Sequence, residues 1–406
     1  MLYREMKRRV TLDKWSVHSY YTLNPYAPDG SGRLLFAAAD FKTETGKVYI
    51  ADNDGKVVDS FGENKYSSSF FHTGFWQTWS PDCRFVYYQS GANTVPYIVR
   101  RELSTGLETR VAGDMEGAPT DGGPIVSGFM GMLYAAGYGT LEYHPEDAPF
   151  PFQARNEHGL FQYDMDKGTR KLILSVNDVL NSHVHKNRLL ETDREMKQIY
   201  GQNDGLTLMC YCLRWNRQGD KCLFYFGNHT VKNVRREPRI GYVFTANRDF
   251  TELHMAVDLS YNRPGVHWGW HPDGKHLLGY GPVPGDETKM CLAMVNYDGT
   301  GYTKISKVQT GGHPSISPAD YNLIVTDSRK TPDGQGQLLF IDKRSDEIKK
   351  CYHIPCKNRE AVPPGRNRHF ICHHPVFNAD GSKLLFNVMC GENSQLYELD
   401  MGGVEI

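Results

Sequence analysis

Three histidines stand at the same position relative to a repeated turn. His267, His313 and His374 each lie five residues before the second residue of a turn, which is His-Pro-Asp-Gly, Ser-Pro-Ala-Asp and Asn-Ala-Asp-Gly respectively. Each turn is followed by an apolar strand-like segment. If the repeats are equivalent, the three imidazoles converge on one axis and indicate a metal site or a proton-transfer centre. The alternative is three unrelated surface histidines.

A repeated turn-and-strand unit must position these side chains. The first copy holds Pro28-Asp29-Gly30 followed by the apolar segment Leu34–Ala37, and related units recur along the 406 residues. Asp-Gly turns between alternating apolar segments are typical of β-hairpins. Seven units, each of four short strands, predict an all-β fold. That fold is a single seven-bladed β-propeller of the TolB or WD type over residues 1–406.

Three segments depart from the regular repeat. The last unit ends after two clear strands, so the N-terminal segment Arg8–Leu12 is expected to supply its outer strand and close the ring. The third unit is degenerate, and we assign Met132–Ala136 to one of its strands. The charged segment Asn181–Tyr200 predicts a helical insertion between blades 3 and 4.

Composition argues against several classes of protein. The 46 basic and 47 acidic residues are balanced without a basic block, which argues against a nucleic-acid partner. No apolar run is long enough to span a membrane. The segment Met1–Trp15 lacks the apolar region of a signal peptide, and the nine cysteines include no CxxC pair. We therefore expect a cytoplasmic protein with reduced thiols.

Further candidate metal ligands flank His374. Strand alternation places Cys372 on the same face as His374, and His373 on the opposite face. His369 lies a few residues upstream, in the loop that enters the blade. The candidate ligands are therefore His313, His369, Cys372 and His374, a set that suits Zn, Mn, Fe or Ni.

Other residue types suggest recognition of an acidic sugar. Arg239 offers a planar pair of N–H donors that matches a carboxylate, although an ordinary solvated arginine is the alternative. Aromatic rings stack on apolar sugar faces, although propeller core is the alternative for each ring taken singly. The candidate substrate-binding residues are His18, Tyr20, His72, Trp76 and Trp268.

The motifs together resemble the oligogalacturonate lyase family, seven-bladed propellers that cleave short pectic uronides by β-elimination. The segments that carry the resemblance are Val17–Tyr21, Pro238–Ile240, Val266–Gly274, Gly312–His313 and Cys372–Phe377. The resemblance implies that His267 is the catalytic base, that Arg239 binds substrate, and that His313 and His374 bind a divalent metal, usually Mn.

The ligand segment departs from the family pattern, which has a Gln followed by two His separated by one residue. Here His369 stands at the Gln position and Cys372 at the first His position, so preference shifts toward softer ions such as Zn. The resemblance implies a lyase acting on an oligosaccharide that contains uronic acid. Two alternatives remain: a glycoside hydrolase on the same scaffold, and a TolB-like propeller that binds a protein partner.

Overall fold

The computed structural model describes residues 3–40, 42–65, 70–92, 95–138, 141–328, 335–356 and 371–404. Seven antiparallel sheets follow one another as the blades of a propeller, and within the described residues six have four strands and one has three. The seven-bladed all-β fold predicted from the repeats is thus confirmed. The first strand, β1 (Met6–Arg8), precedes the strands of blade 1 in the sequence.

The blades, with strands in chain order, are as follows. Blade 1 holds β2 (Trp15–Val17), β3 (Leu34–Asp40), β4 (Thr45–Ala51) and β5 (Val57–Lys65); blade 2 holds β6 (Thr78–Trp79), β7 (Phe85–Ala92), β8 (Val95–Glu102) and β9 (Glu108–Ala112); blade 3 holds β10 (Ile125–Ser127), β11 (Gly159–Asp164) and β12 (Thr169–Ser175). Blade 4 holds β13 (Met209–Trp215), β14 (Lys221–Gly227), β15 (Gly241–Asn247) and β16 (His254–Asp258); blade 5 holds β17 (Val266–Trp270), β18 (His276–Val283), β19 (Asp286–Asn296) and β20 (Thr303–Ser306). Blade 6 holds β21 (Ser315–Ile316), β22 (Leu323–Ser328), β23 (Gln335–Asp342) and β24 (Glu347–Pro355); blade 7 holds β25 (Val376–Phe377), β26 (Lys383–Cys390) and β27 (Asn393–Asp400).

The N-terminal strand closes the ring, as predicted. Strand β1 pairs antiparallel with β27, with Met6 opposite Leu399 and Arg8 opposite Tyr397, and so becomes the outer strand of blade 7. It lies earlier than the predicted segment Arg8–Leu12. Beyond Arg8 the contact with blade 7 continues, because the Arg9 N–H donates to the Leu396 carbonyl oxygen at 2.8 Å and the buried Arg9 side chain places Nε 3.4 Å from the Glu398 carboxylate.

Blade 3 differs from the prediction in one element. The segment Met132–Ala136, assigned to a strand, instead lies largely in helix α2 (Met130–Ala135), all of whose residues are buried. A short apolar run has no periodicity that separates strand from buried helix. The Asp114 carboxylate accepts a hydrogen bond from the Gly131 N–H at 3.1 Å, which satisfies a donor in the first turn of this helix.

The remaining helices lie between the sheets. Helix α1 (Phe70–Thr73) precedes blade 2, and helices α3 (Val176–Ser182) and α4 (Lys186–Tyr200) lie between blades 3 and 4. The side chain of Ser175 and that of Asp178 form a capping box at the start of α3. Short 3-10 helices cover Pro145–Asp147, His229–Asn233 and Met401–Gly403. In the described part of the chain, no helix combines the length and apolar character that a membrane crossing requires.

Candidate active site

The three in-phase histidines converge. The ring centroids of His267 and His313 lie 4.0 Å apart, and those of His313 and His374 lie 4.1 Å apart. His267 and His374 adopt left-handed backbone conformations with φ of 59° and 48°, which few residues other than glycine adopt without strain. In β17 the strand register shifts between Val266 and Gly269, so an irregular inner strand turns His267 toward its neighbours.

Three potential metal ligands come together at this point. One donor atom each from His313, Cys372 and His374 lies within 4.8 Å of the others, and all three residues are buried. Neither ring nitrogen of His374 has a hydrogen-bond partner among the described residues. Burial, reinforced by the surrounding histidines, holds the pKa of His374 well below its ordinary value, so its ring is neutral and able to coordinate a cation. The fourth predicted ligand, His369, lies outside the described residues.

A carboxylate that sequence reasoning missed organises these ligands. Asp327, at the end of the apolar strand β22, accepts hydrogen bonds from Nδ1 and from the backbone N–H of His313 at 3.0 and 2.6 Å. Its other oxygen accepts the backbone N–H groups of His373 and His374 at 3.0 and 3.2 Å. Because Nδ1 of His313 faces a carboxylate, Nε2 carries the lone pair of the neutral ring. Carboxylate–histidine pairs of this kind orient metal ligands.

His267 is oriented by backbone carbonyls. Its Nδ1 lies 3.0 Å from the carbonyl oxygen of Gly311 and 2.8 Å from that of Gly312. Carbonyl oxygens only accept hydrogen bonds, so Nδ1 carries the proton and Nε2 carries the lone pair of the neutral ring. This tautomer suits a proton acceptor.

Four of the five predicted substrate-binding residues surround the cluster. The ring centroid of Tyr20 lies 4.9 Å from that of His374 and 5.6 Å from that of Trp76. The rings of His72 and His18 lie 5.8 and 6.0 Å from that of His374. Burial lowers the pKa of His18 to about 4, so that ring is neutral as well.

The structure does not bring Trp268 to the cluster. Its side chain is fully buried within blade 5, with its ring 6.1 Å from that of Tyr302. A Cβ added at Gly279 would lie 2.5 Å from the indole, so this glycine leaves the space that the ring fills. Trp268 follows His267 directly, and neighbouring strand residues point to opposite faces.

Arg239 lies beside the segment that leads to His267. Its guanidinium donates hydrogen bonds to the carbonyl oxygens of Gly265 and, at 3.5 Å, Arg263. Burial, together with the charge of Arg239, lowers the pKa of His229 to about 4. Arg239 therefore connects blade 4 to the segment that leads into strand β17 of blade 5.

A second arginine was also missed by sequence reasoning. Arg214, in the apolar strand β13, is buried, and its guanidinium lies 5.1 Å from the ring centroid of Tyr20. It donates hydrogen bonds to the carbonyl oxygen of Trp268 and, at 3.4 Å, to the hydroxyl of Tyr21. A charged residue within an otherwise apolar strand was the available signal.

Comparison with solved structures places the fold. Oligogalacturonate lyase from Vibrio parahaemolyticus aligns with a TM-score of 0.64 and 16% identity over 97% of this chain and 93% of that chain. A structure of oligogalacturonate lyase in complex with manganese aligns with a TM-score of 0.65 and 16% identity over 98% of this chain and 95% of that chain. The fold is that of oligogalacturonate lyase. No protein-family model and no curated protein matches the chain.

Proposed function

We propose that this protein is a metal-dependent lyase that cleaves an oligosaccharide containing uronic acid by β-elimination. The observation that carries the proposal is the contact between a candidate base, His267, and a candidate metal ligand, His313. The ring of His267, held in the tautomer of a base, lies 4.0 Å from that of His313, which belongs to the group of three buried donor atoms. The likeness in fold to oligogalacturonate lyases supports the same reaction class.

The reaction needs a base and a means of neutralising a carboxylate. The proton beside the carboxylate of a uronate is weakly acidic until the charge that develops on that carboxylate is stabilised. In β-elimination this proton passes to Nε2 of His267 and its electron pair forms the C4–C5 double bond. The C4–O bond breaks, and its electron pair leaves on the oxygen. A general base contributes about 10²–10⁴-fold to the rate.

Arg239 is the proposed partner of the substrate carboxylate. Its guanidinium already donates to the carbonyl oxygen of Gly265, two residues before His267, so the arginine and the base are held by one segment. A guanidinium presents further N–H donors in the same plane, which suits bidentate pairing with a carboxylate.

The donor set fits a divalent cation. His313, Cys372 and His374 are buried together, and among the described residues both nitrogens of His374 lack hydrogen-bond partners. A cation bound there would stabilise the negative charge that develops on the substrate carboxylate. The related lyase binds manganese, and the same ion is proposed here by similarity. The Cys372 thiolate also favours Zn or Fe.

The test is the formation of unsaturated product. Purified protein loaded in turn with Mn²⁺, Zn²⁺ and Fe²⁺ is incubated with a panel of uronic-acid oligosaccharides, including oligogalacturonates, while ultraviolet absorbance of the unsaturated uronide is recorded. We expect absorbance to rise with at least one metal and substrate. Cleavage that yields only saturated products would indicate hydrolysis, and the absence of cleavage across the panel would contradict the proposal.

A further inference from the structure

A tyrosine and a histidine form a hydrogen-bonded pair beside the metal-ligand cluster. The hydroxyl of Tyr138, just after helix α2, lies 3.0 Å from Nε2 of His72. His72 is buried, and its ring lies 5.8 Å from that of His374. The pair therefore joins blade 3 to the metal-ligand cluster.

The order of ring contacts around the cluster separates this pair from the base. In one direction His313, His374 and His72 lie between His267 and Tyr138, in successive ring contacts. In the other direction the ring of His229 lies 5.3 Å from that of Tyr138, and the charge of Arg239 acts on His229. Arg239 in turn donates a hydrogen bond to the carbonyl oxygen of Gly265, next to the strand of His267, and this contact completes the circuit. The ring of Tyr20 lies inside this circuit, 6.5 Å from that of His267 and 6.4 Å from that of His72. A sugar stacked on Tyr20 would have His267 on one side and the His72–Tyr138 pair on the other.

We propose that Tyr138 donates the proton to the leaving oxygen in the elimination, and that His72 is the residue that positions it. The proposal rests on the proposed lyase function. In the step, the C4–O bond breaks and its electron pair goes to the leaving oxygen, which takes the proton of the Tyr138 hydroxyl. The resulting phenolate regains a proton from water after product release.

The surroundings of Tyr138 suit a proton donor rather than a base. Burial raises the pKa of Tyr138 well above its ordinary value, so the hydroxyl stays protonated before the reaction. An N–H donated by Nε2 of His72 to the phenol oxygen would leave the hydroxyl proton directed toward the substrate, and the same donor would stabilise the phenolate. In a galacturonide the C5–H and C4–O bonds are trans, so elimination from that sugar needs the base and the acid on opposite sides of the ring.

The test compares two leaving groups. The first substrate is a 4-O-glycosylated uronide, whose sugar oxygen needs a proton to leave. The second is a 4-deoxy-4-fluoro uronide, whose fluoride leaves as an anion. We expect Tyr138→Phe to lower kcat on the glycoside by about 10²-fold or more while kcat on the fluoride stays near wild type. His267→Ala should lower kcat on both, because both reactions need the base.

His72 is tested as a positioning residue with the same two substrates. His72→Ala should lower kcat on the glycoside by about tenfold or more, with little change in KM. On the fluoride substrate, kcat should stay at the wild-type value. His72→Gln should recover part of the loss, because its amide N–H can donate to the phenol oxygen. The matched control is Tyr134→Phe. Tyr134 lies in helix α2, one turn before Tyr138, and this variant should keep wild-type rates.

Metal content and thermal denaturation of each variant separate a chemical effect from a folding defect. A Tyr138→Phe variant that is folded and metal-loaded and cleaves the glycoside at the wild-type rate would overturn the proposal. So would an equal loss on both substrates, which would place Tyr138 in binding. If the wild type forms unsaturated product from neither substrate, the lyase function itself is wrong, and this assignment is wrong with it.

Discussion

The carboxylate of Asp327 accepts a hydrogen bond from Nδ1 of His313 at 3.0 Å, and both groups are almost completely buried. The same carboxylate also accepts the backbone N–H groups that open the inner strand of blade 7. One side chain of blade 6 therefore sets the orientation of a ligand in its own blade and the position of His374 in the next. Burial alone would raise the pKa of Asp327, but His313 and these hydrogen bonds hold the pKa well below its ordinary value.

Asp327→Asn should weaken metal binding and destabilise the fold. An amide places an NH₂ group where a carboxylate oxygen now accepts two N–H donors, and leaving buried donors unsatisfied costs roughly 1–3 kcal/mol each. Loss of a carboxylate that hydrogen-bonds to a metal-ligating histidine typically lowers metal affinity about 10–100-fold. Competitive chelator titration measures the affinity, and urea denaturation measures the free energy of unfolding. Asp298→Asn, at an exposed turn, is the control, and equal metal affinity in both variants would contradict the prediction.

Cys372→Ser should change the kind of metal that the site holds. A thiolate favours softer ions, so the serine variant should bind Zn²⁺ at least about tenfold more weakly and lose relative preference for it over Mn²⁺. In the Co²⁺-loaded wild type we expect a sulfur-to-cobalt charge-transfer band, which the variant should lack. Cys390→Ser, whose thiol donates to the hydroxyl of Tyr397, should retain the band. A band that persists in Cys372→Ser would show that this thiol is not a ligand.

His267→Ala should remove the base while the metal stays bound. The ring of His267 contacts that of His313, but His267 is not one of the three grouped donors. We expect kcat to fall by about 10²–10⁴-fold on a uronide substrate. Elemental analysis should give the wild-type metal content. A variant that turns over at the wild-type rate would remove His267 from the mechanism.

Arg239→Lys should impair substrate binding and turnover together. An ammonium is a point donor and reproduces neither the bidentate pairing with a carboxylate nor the simultaneous hydrogen bonds to the carbonyls of Gly265 and Arg263. Steady-state kinetics should show a higher KM and a lower kcat. Arg236→Lys, at a neighbouring exposed position, is the control. If Arg239→Lys acts only on thermal stability and leaves both constants unchanged, its role is to support the backbone.

The meeting of the three in-phase histidines could be predicted because propeller blades repeat their geometry. An equal offset from equivalent turns places His267, His313 and His374 at equivalent points of adjacent inner strands. His373 and His374 precede strand β25, and His374, like His267, adopts a left-handed backbone conformation, while Trp268, beside His267, packs inside blade 5. Such local backbone conformations are not evident in the sequence, so the directions of these neighbouring side chains could not be predicted.

Other features depend on contacts between distant parts of the chain. Asp327 lies near the end of an ordinary apolar strand. Nothing in its local sequence indicates that its carboxylate will meet two N–H groups of blade 7 together with the N–H group and ring nitrogen of His313. Tyr138 meets His72 across 66 residues. The apolar segment Met132–Ala136 suits a strand as well as a helix, and the contact between Asp114 and Gly131 that favours the helix also lies across the chain.

Buried histidines outside the site should make stability fall in acid. Burial lowers the pKa of His158 and of His183 to about 4, against about 6.5 in an unfolded chain. Between these values the unfolded chain binds protons that the folded chain does not, so the free energy of unfolding rises with pH. Lowering the pH from 7 to 5 should therefore cost about 2 kcal/mol for each such histidine.

The measurement is urea denaturation at a series of pH values from 7 to 5. His158→Gln should flatten the pH dependence, because glutamine does not titrate while its amide can still donate to the Phe152 carbonyl oxygen that now lies 3.2 Å from Nε2. The exposed His144 provides a control of opposite sign. The hydrogen bond with Glu142 raises the pKa of His144, so its ring stabilises the fold as pH falls, and His144→Gln should leave the acid-induced loss unchanged or make it steeper. Parallel pH profiles for the wild type and His158→Gln would show that His158 does not contribute to the acid sensitivity.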